Sequence, residues 1–317
     1  MGKYPINKEY FPFNHLYPPF PSGEFAGFIG TFMKTPRKIF KDKEIKVTRR
    51  FIDGYKKGEI EIIIYEPYDI EENCPCLVYF HGGAFVFGAS FHHYIMAKQY
   101  AMQTPCKLIF VQYRLSPMYR FPIPAEDCYL GYKWAVDNCA ELSIDKERIG
   151  VGGDSAGGAL AAAVCLMARD RAFKIPCLQM MIYPVLDRRL ETESQKTLLD
   201  TPMWNGKLSV KMWQAYLGDH PERVRTDISY ASPAEAKRFD GLPPAYIETA
   251  EFDCLRDEGE EYSEKLRENN VFVEFNPTKG TMHGFDAARN AEVPKQAVTA
   301  RVEFMRRIFN KENSYEV

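Results

Sequence analysis

Residues Gly153-Asp154-Ser155-Ala156-Gly157 lie between a short apolar run, Arg148 to Gly152, and a long alanine-rich one, Ala156 to Arg169. The first reads as a strand and the second as a helix. A Gly-x-Ser-x-Gly at such a junction forms a turn so tight that the central serine stands at the top of a sheet. Glycine is needed at both flanks because a side chain there would strike the neighbouring strand or helix. The turn also sets a helix N-terminus, with its free N–H groups and positive dipole end, beside the serine oxygen. Nucleotide-binding turns compete for this pattern but fit it poorly. Counting from Gly150, the sixth position of a dinucleotide fingerprint falls on Ser155, and no Gly-Lys-Ser/Thr ending is present.

The rest of the chain repeats the same alternation. Strand candidates are Glu59 to Tyr65, Leu77 to Phe80, Leu108 to Gln112, Arg148 to Gly152, Gln179 to Tyr183, Ala245 to Thr249 and Val271 to Phe275. Helical periodicity covers His92 to Gln103, Ala125 to Asn138, Ala156 to Arg169, Glu258 to Asn269 and Pro294 to Asn310. Short continuous apolar strands separated by amphipathic helices predict an α/β fold, with a mostly parallel sheet covered on both faces. Two stretches break the rhythm. Residues 1 to about 45 are rich in aromatics, proline and glycine, and residues from about 188 to 222 are first polar and then carry Met203, Trp204, Leu208, Met212, Trp213, Tyr216 and Leu217. The second could be an ordinary core helix. We favour a small helical cap, built from both stretches over a single domain spanning 1–317, with Phe25, Trp204 and Trp213 lining an apolar substrate pocket.

A serine hydroxyl needs a base to become a nucleophile. Of the six histidines, His283 stands just after the last strand candidate and beside Gly284, where loops gather at the ligand-binding edge of a doubly wound sheet. The carboxylate that orients it is expected between serine and histidine in chain order. Asp253, after the strand Ala245 to Thr249, arrives at the same edge; Asp257, Glu251 and Asp187 are rivals among 43 acidic residues. N–H donors for a developing oxyanion are expected from His81-Gly82-Gly83-Ala84-Phe85, at Gly82 or Gly83, together with Ala156 after the nucleophile. His81 then braces the loop rather than carrying protons.

Together these residues resemble the hormone-sensitive-lipase-like family of α/β-hydrolase esterases, which includes bacterial acetyl esterases and arylacetamide deacetylases. The resemblance runs from about Ile45 to Ile308. It rests on His81-Gly82-Gly83, Tyr113-Arg114-Leu115 with Phe121-Pro122 and Asp127, Gly153 to Gly158, Asp253 with Leu255, and His283-Gly284-Phe285. It implies Ser155, Asp253 and His283 as a catalytic triad, and Gly82, Gly83 and Ala156 around the oxyanion. It also implies a helical cap and, by the same likeness, a homodimer. Ala84 stands where a third glycine is usual, and Cys254 where a proline is common.

The expected activity is hydrolysis of short-chain or aromatic acyl esters through an acyl-enzyme, with no metal or organic cofactor. An amidase or deacetylase using the same triad is the alternative, and a silent ligand-binding homologue the more distant one. A net charge of -2 gives no general attraction to nucleic acid or anionic membrane. The longest apolar stretch, Ala159 to Ala168, is too short for a bilayer. Eight cysteines without a C-x-x-C pair read as reduced, buried thiols, which with the absence of a secretory signal suggests a cytoplasmic protein.

Overall fold

The computed structural model describes residues 3–17, 19–20, 35–220, 222 and 225–311. Eight strands form one sheet: β1 (Ile45–Gly54), β2 (Gly58–Pro67), β3 (Cys74–Phe80), β4 (Lys107–Gln112), β5 (Ile144–Asp154), β6 (Gln179–Ile182), β7 (Ala245–Phe252) and β8 (Val273–Met282). Their order across the sheet is β1-β2-β4-β3-β5-β6-β7-β8. β2 pairs antiparallel with both β1 and β4, and every other pairing is parallel. The seven expected strands are present. β1 is an addition, and its sequence hides it: Lys46, Thr48, Arg49, Arg50 and Asp53 leave little apolar alternation. An edge strand needs only one hydrogen-bonding neighbour, and charge along it discourages pairing with other chains.

The α-helices are α1 (Phe91–Gln103), α2 (Ile123–Asp137), α3 (Ala156–Asp170), α4 (Glu193–Thr197), α5 (Gly206–Leu217), α6 (Arg256–Glu268) and α7 (Glu292–Phe309). Strand side chains alternate between two cores. Ile62, Ile64, Val78, Phe80, Ile109, Val111 and Val151 face one layer with α2, α3 and α6 residues such as Tyr132, Leu160 and Tyr262. Ile63, Tyr65, Leu77, Tyr79, Leu108 and Phe110 face the other, with Met96 and Tyr100 of α1 and Val302, Met305 and Phe309 of α7. Each face is therefore dry, which is why the parallel strands read as continuous apolar runs.

The chain passes from β3 outward to β4, then returns to the opposite side of β3 to lay down β5. Strand order reverses there, so the loops after β3 and β5 diverge to opposite faces and leave a crevice at the carboxyl ends. The loop after β3 holds Gly82 and Gly83, and the turn after β5 holds Ser155.

The two interruptions of the alternation meet in space. Leu16 O accepts the Met203 N–H at 2.7 Å, and Lys3 pairs with Asp200 at 2.7 Å. Helix α5 itself packs into the core, with Tyr216 stacked on Phe85 at 3.8 Å between ring centroids. The alternative of a core-packing helix thus describes α5, while the segment just before it lies near the crevice.

Candidate active site

Ser155 adopts φ 54°, ψ -120°, a conformation costly for a residue with a side chain. The surroundings enforce it. Ser155 N–H donates to Ile182 O at 2.8 Å, and Ser155 O accepts from Gly158 and Val185 at 3.0 and 3.1 Å. A Cβ on Gly157 would sit 1.9 Å from Phe80 O, and one on Gly153 would sit 2.3 Å from Gly157 O. Both glycines are therefore obligatory where α3 leaves β5 against β3.

His283 follows β8, with Gly284 at φ 67° turning the chain behind it. Its Nε2 lies 3.0 Å from Ser155 Oγ, and its Nδ1 lies 2.7 Å from Asp253 Oδ2. Asp253 is fully buried, and its second oxygen accepts the Leu255 N–H at 3.0 Å. A carboxylate can only accept from the ring, so the histidine carries its proton on Nδ1. Nε2 is left as the acceptor for the serine O–H. Serine, imidazole and carboxylate form one unbroken line across three loops. The rivals lie elsewhere: Asp187 pairs with Arg189, Asp257 accepts the Ser194 N–H, and Glu251 accepts the Gly280 N–H.

The loop after β3 is pinned almost everywhere. Tyr113 Oη–H donates to His81 O at 2.7 Å, and His81 Nδ1–H donates to Gly82 O at 2.6 Å. Gly83 O accepts from Val86 and Phe87, and Phe85 O accepts from Ser116. His81 stacks on Tyr113 at 4.5 Å, and burial depresses its pKa to about 4, so it is neutral and structural at ordinary pH. The Gly82 N–H is already spent on Asp154 Oδ1, at 3.0 Å. Gly82, expected as a candidate oxyanion donor, thus has its amide committed to the protein. The amides of Gly83, Ala84 and Ala156 take no acceptor among the described residues. Gly83 at φ 122°, Ala84 at 55° and Phe85 at 59° mark a loop held in an unfavourable conformation.

Of the residues expected to line a substrate pocket, Trp204 reaches the site: its ring centroid lies 6.1 Å from that of His283. Its Nε1–H donates to Ser209 Oγ at 3.1 Å, which fixes the ring. Phe20 packs edge-on to both Trp204 and Phe87, joining the N-terminal segment to the loop after β3. Trp213 is not part of this cluster; it is buried against Phe85 and Tyr216 as core packing. Phe25 lies outside the described residues.

Two contributors escaped the sequence reading. Tyr183, at the end of β6, sets its ring edge-on to His283 at 4.8 Å and donates its hydroxyl to Asp286 Oδ1. Asp154, within the serine motif itself, gathers the Gly82 N–H, the Tyr79 hydroxyl and the His93 ring. Burial alone would raise its pKa, but His93 and Tyr79 outweigh that and bring it down to about 2. A carboxylate placed at the end of an apolar strand was the available signal, since such a group must find donors. Among the described residues, no group of three or more His, Cys, Asp or Glu side chains is placed to hold a metal ion. No described helix is long and apolar enough to cross a membrane.

The sequence pattern of the alpha/beta hydrolase fold matches residues 77–287, from β3 through the loop that carries His283. The chain belongs to the hormone-sensitive-lipase-like family of α/β-hydrolase esterases. Carboxylic ester hydrolysis is the activity this membership carries, with serine as the usual nucleophile. Carboxylesterase NlhH of Mycobacterium tuberculosis is 31% identical over 80% of this esterase and 79% of its own length. An arylesterase of Saccharolobus solfataricus is 34% identical over 72% of this chain and 73% of its own. Among solved structures, a bacterial heroin esterase superposes with a TM-score of 0.80 at 34% identity, covering 84% of this chain and 85% of its own.

Proposed function

We propose that this esterase cleaves esters of short or aromatic acyl groups, with Ser155 as nucleophile, His283 as base and Asp253 as the group that orients the imidazole and stabilises its charged form. The observation that carries this reading is the continuous contact from Ser155 Oγ to His283 Nε2, 3.0 Å, and from His283 Nδ1 to Asp253, 2.7 Å. Ser155 Oγ attacks the ester carbonyl as His283 Nε2 takes its proton. The negative charge on the former carbonyl oxygen is held by the amides of Ala156 and of Gly83, with Ala84 adjacent. His283 returns the proton to the leaving alcohol as the C–O bond breaks. Water then repeats the sequence on the acyl-enzyme, releasing the acid and restoring the Ser155 hydroxyl.

The aromatic wall of Trp204, Phe20 and Phe87 supports a preference for compact or planar acyl groups. The name of the arylesterase relative agrees with esters whose leaving alcohol is aromatic, attached to a short acyl group. The described part of the N-terminal stretch and the segment just before α5 act as the cap that carries two of these rings. The eight cysteines, none in a disulfide in the structure, are consistent with a reducing, cytoplasmic setting. The test is a panel of p-nitrophenyl esters from acetyl to decanoyl, with a benzoyl member, run beside p-nitroacetanilide. Turnover should peak at the short and benzoyl esters and fall steeply at decanoyl. Anilide turnover equal to that of the acetyl ester would make the enzyme an amidase instead.

A further inference from the structure

Asp154 directly precedes the nucleophile, yet its carboxylate points back across the sheet edge and is nearly buried. Its Oδ1 accepts two bonds, from the Gly82 N–H at 3.0 Å and from Tyr79 Oη–H at 2.8 Å. Its Oδ2 lies 3.1 Å from His93 Nε2, in the first turn of α1. The other ring nitrogen of His93 is also engaged: Nδ1 accepts the Ser90 N–H at 2.8 Å and lies 3.0 Å from Ser90 Oγ. Because Nδ1 accepts a backbone N–H, the proton of neutral His93 sits on Nε2 and is donated to Asp154.

One carboxylate therefore ties down both ends of the loop that runs from Gly82 to Ser90. It holds Gly82 directly and Ser90 through the His93 ring. Glycine is required at 82 for this, since a Cβ there would fall 2.2 Å from Asp154 Oδ2. The two amides that follow, Gly83 and Ala84, take no acceptor among the described residues. We propose that Asp154 and His93 are positioning residues that fix the oxyanion-binding amides relative to Ser155, by clamping the Gly82–Ser90 loop to the nucleophile's own strand. The proposal rests on the serine-esterase reading and adds a role for two groups outside the reacting triad. Such preorganised donors stabilise charge that develops only in the transition state. Loosening them should lower kcat and leave ground-state binding largely intact.

The experiment compares Asp154→Ala, His93→Ala and His93→Gln with the wild-type enzyme on p-nitrophenyl acetate. The inhibition constant of a trifluoromethyl ketone, whose serine adduct carries an oxyanion, is measured alongside. Loss of a preorganised oxyanion donor costs on the order of 100-fold in kcat. We expect Asp154→Ala and His93→Ala to lower kcat by roughly that factor or somewhat less, with KM changed less than about threefold and ketone affinity falling in parallel with kcat. His93→Gln, which can still donate an N–H to Asp154, should recover most of the loss. If Asp154→Ala does not fold, the two His93 variants decide alone. Unchanged kcat in His93→Ala, a loss confined to KM, or undiminished ketone affinity would overturn the positioning role. Equal damage from His93→Ala and His93→Gln would do the same. Ser155→Ala, run in parallel, separates the two claims: an inert Ser155→Ala with fully active His93→Ala would leave the esterase mechanism standing and remove only the clamp.

Discussion

The turn that carries Ser155 and the segment that carries Trp204 border the same crevice but are built on different principles. At the turn, backbone meets backbone: Gly157 lies against Phe80 O and Gly153 against Gly157 O so closely that no side chain fits. Around Trp204, side chain meets side chain, with Phe20, Phe87 and Trp204 in edgewise contact at 6.1 and 6.3 Å. The first arrangement admits almost no substitution, and the second admits many rings of similar size. On the proposed mechanism, chemistry is anchored where the chain cannot vary, and selectivity is carried where it can.

That contrast can be broken at four points, in order of expected effect. Ser155→Ala should lower kcat by on the order of a million-fold, as in other serine hydrolases, measured on p-nitrophenyl acetate. A loss below about ten-fold would take Ser155 out of the mechanism. Asp253→Asn should cost on the order of ten-thousand-fold, because the amide favours the wrong histidine tautomer. Full turnover in that variant would shift the role to another carboxylate. Trp213→Ala should act on folding: truncating a buried aromatic costs about 3–5 kcal/mol, read from denaturant unfolding, with acyl preference unaltered. Trp204→Ala should do the reverse, reducing the benzoyl-to-acetyl kcat/KM ratio by roughly ten-fold with a small change in stability. If Trp213 rather than Trp204 governed acyl preference, the division between core packing and pocket wall would be mistaken.

The same contrast governs what could be read from residues alone. The meeting of Ser155, His283 and Asp253 in space was legible because their positions follow from chain order, flanking glycines and the edge at which each strand ends. The strands were legible because burial on both faces makes them uniformly apolar, and β1 was not, because an edge strand is half solvated and carries Arg49 and Arg50. Trp204 and Trp213 looked alike in sequence, since periodicity reports that a residue is buried but not against what. Gly82 and Gly83 were equally permissive as glycines. Only the Asp154 carboxylate, seen in space, distinguishes the Gly82 amide, which is spent, from that of Gly83, which takes no acceptor among the described residues. Tyr183 gave no signal at all, as its ring reaches His283 from the far end of β6.

The most direct test of the central claim is covalent. A fluorophosphonate is attacked by an activated serine, which forms a P–O bond and expels fluoride, and the adduct is located by peptide mass spectrometry. The mechanism predicts one label per chain, on Ser155, formed far more slowly in His283→Ala. Labelling at another residue, or equal labelling of Ser155 with His283 removed, would contradict the relay of serine, imidazole and carboxylate.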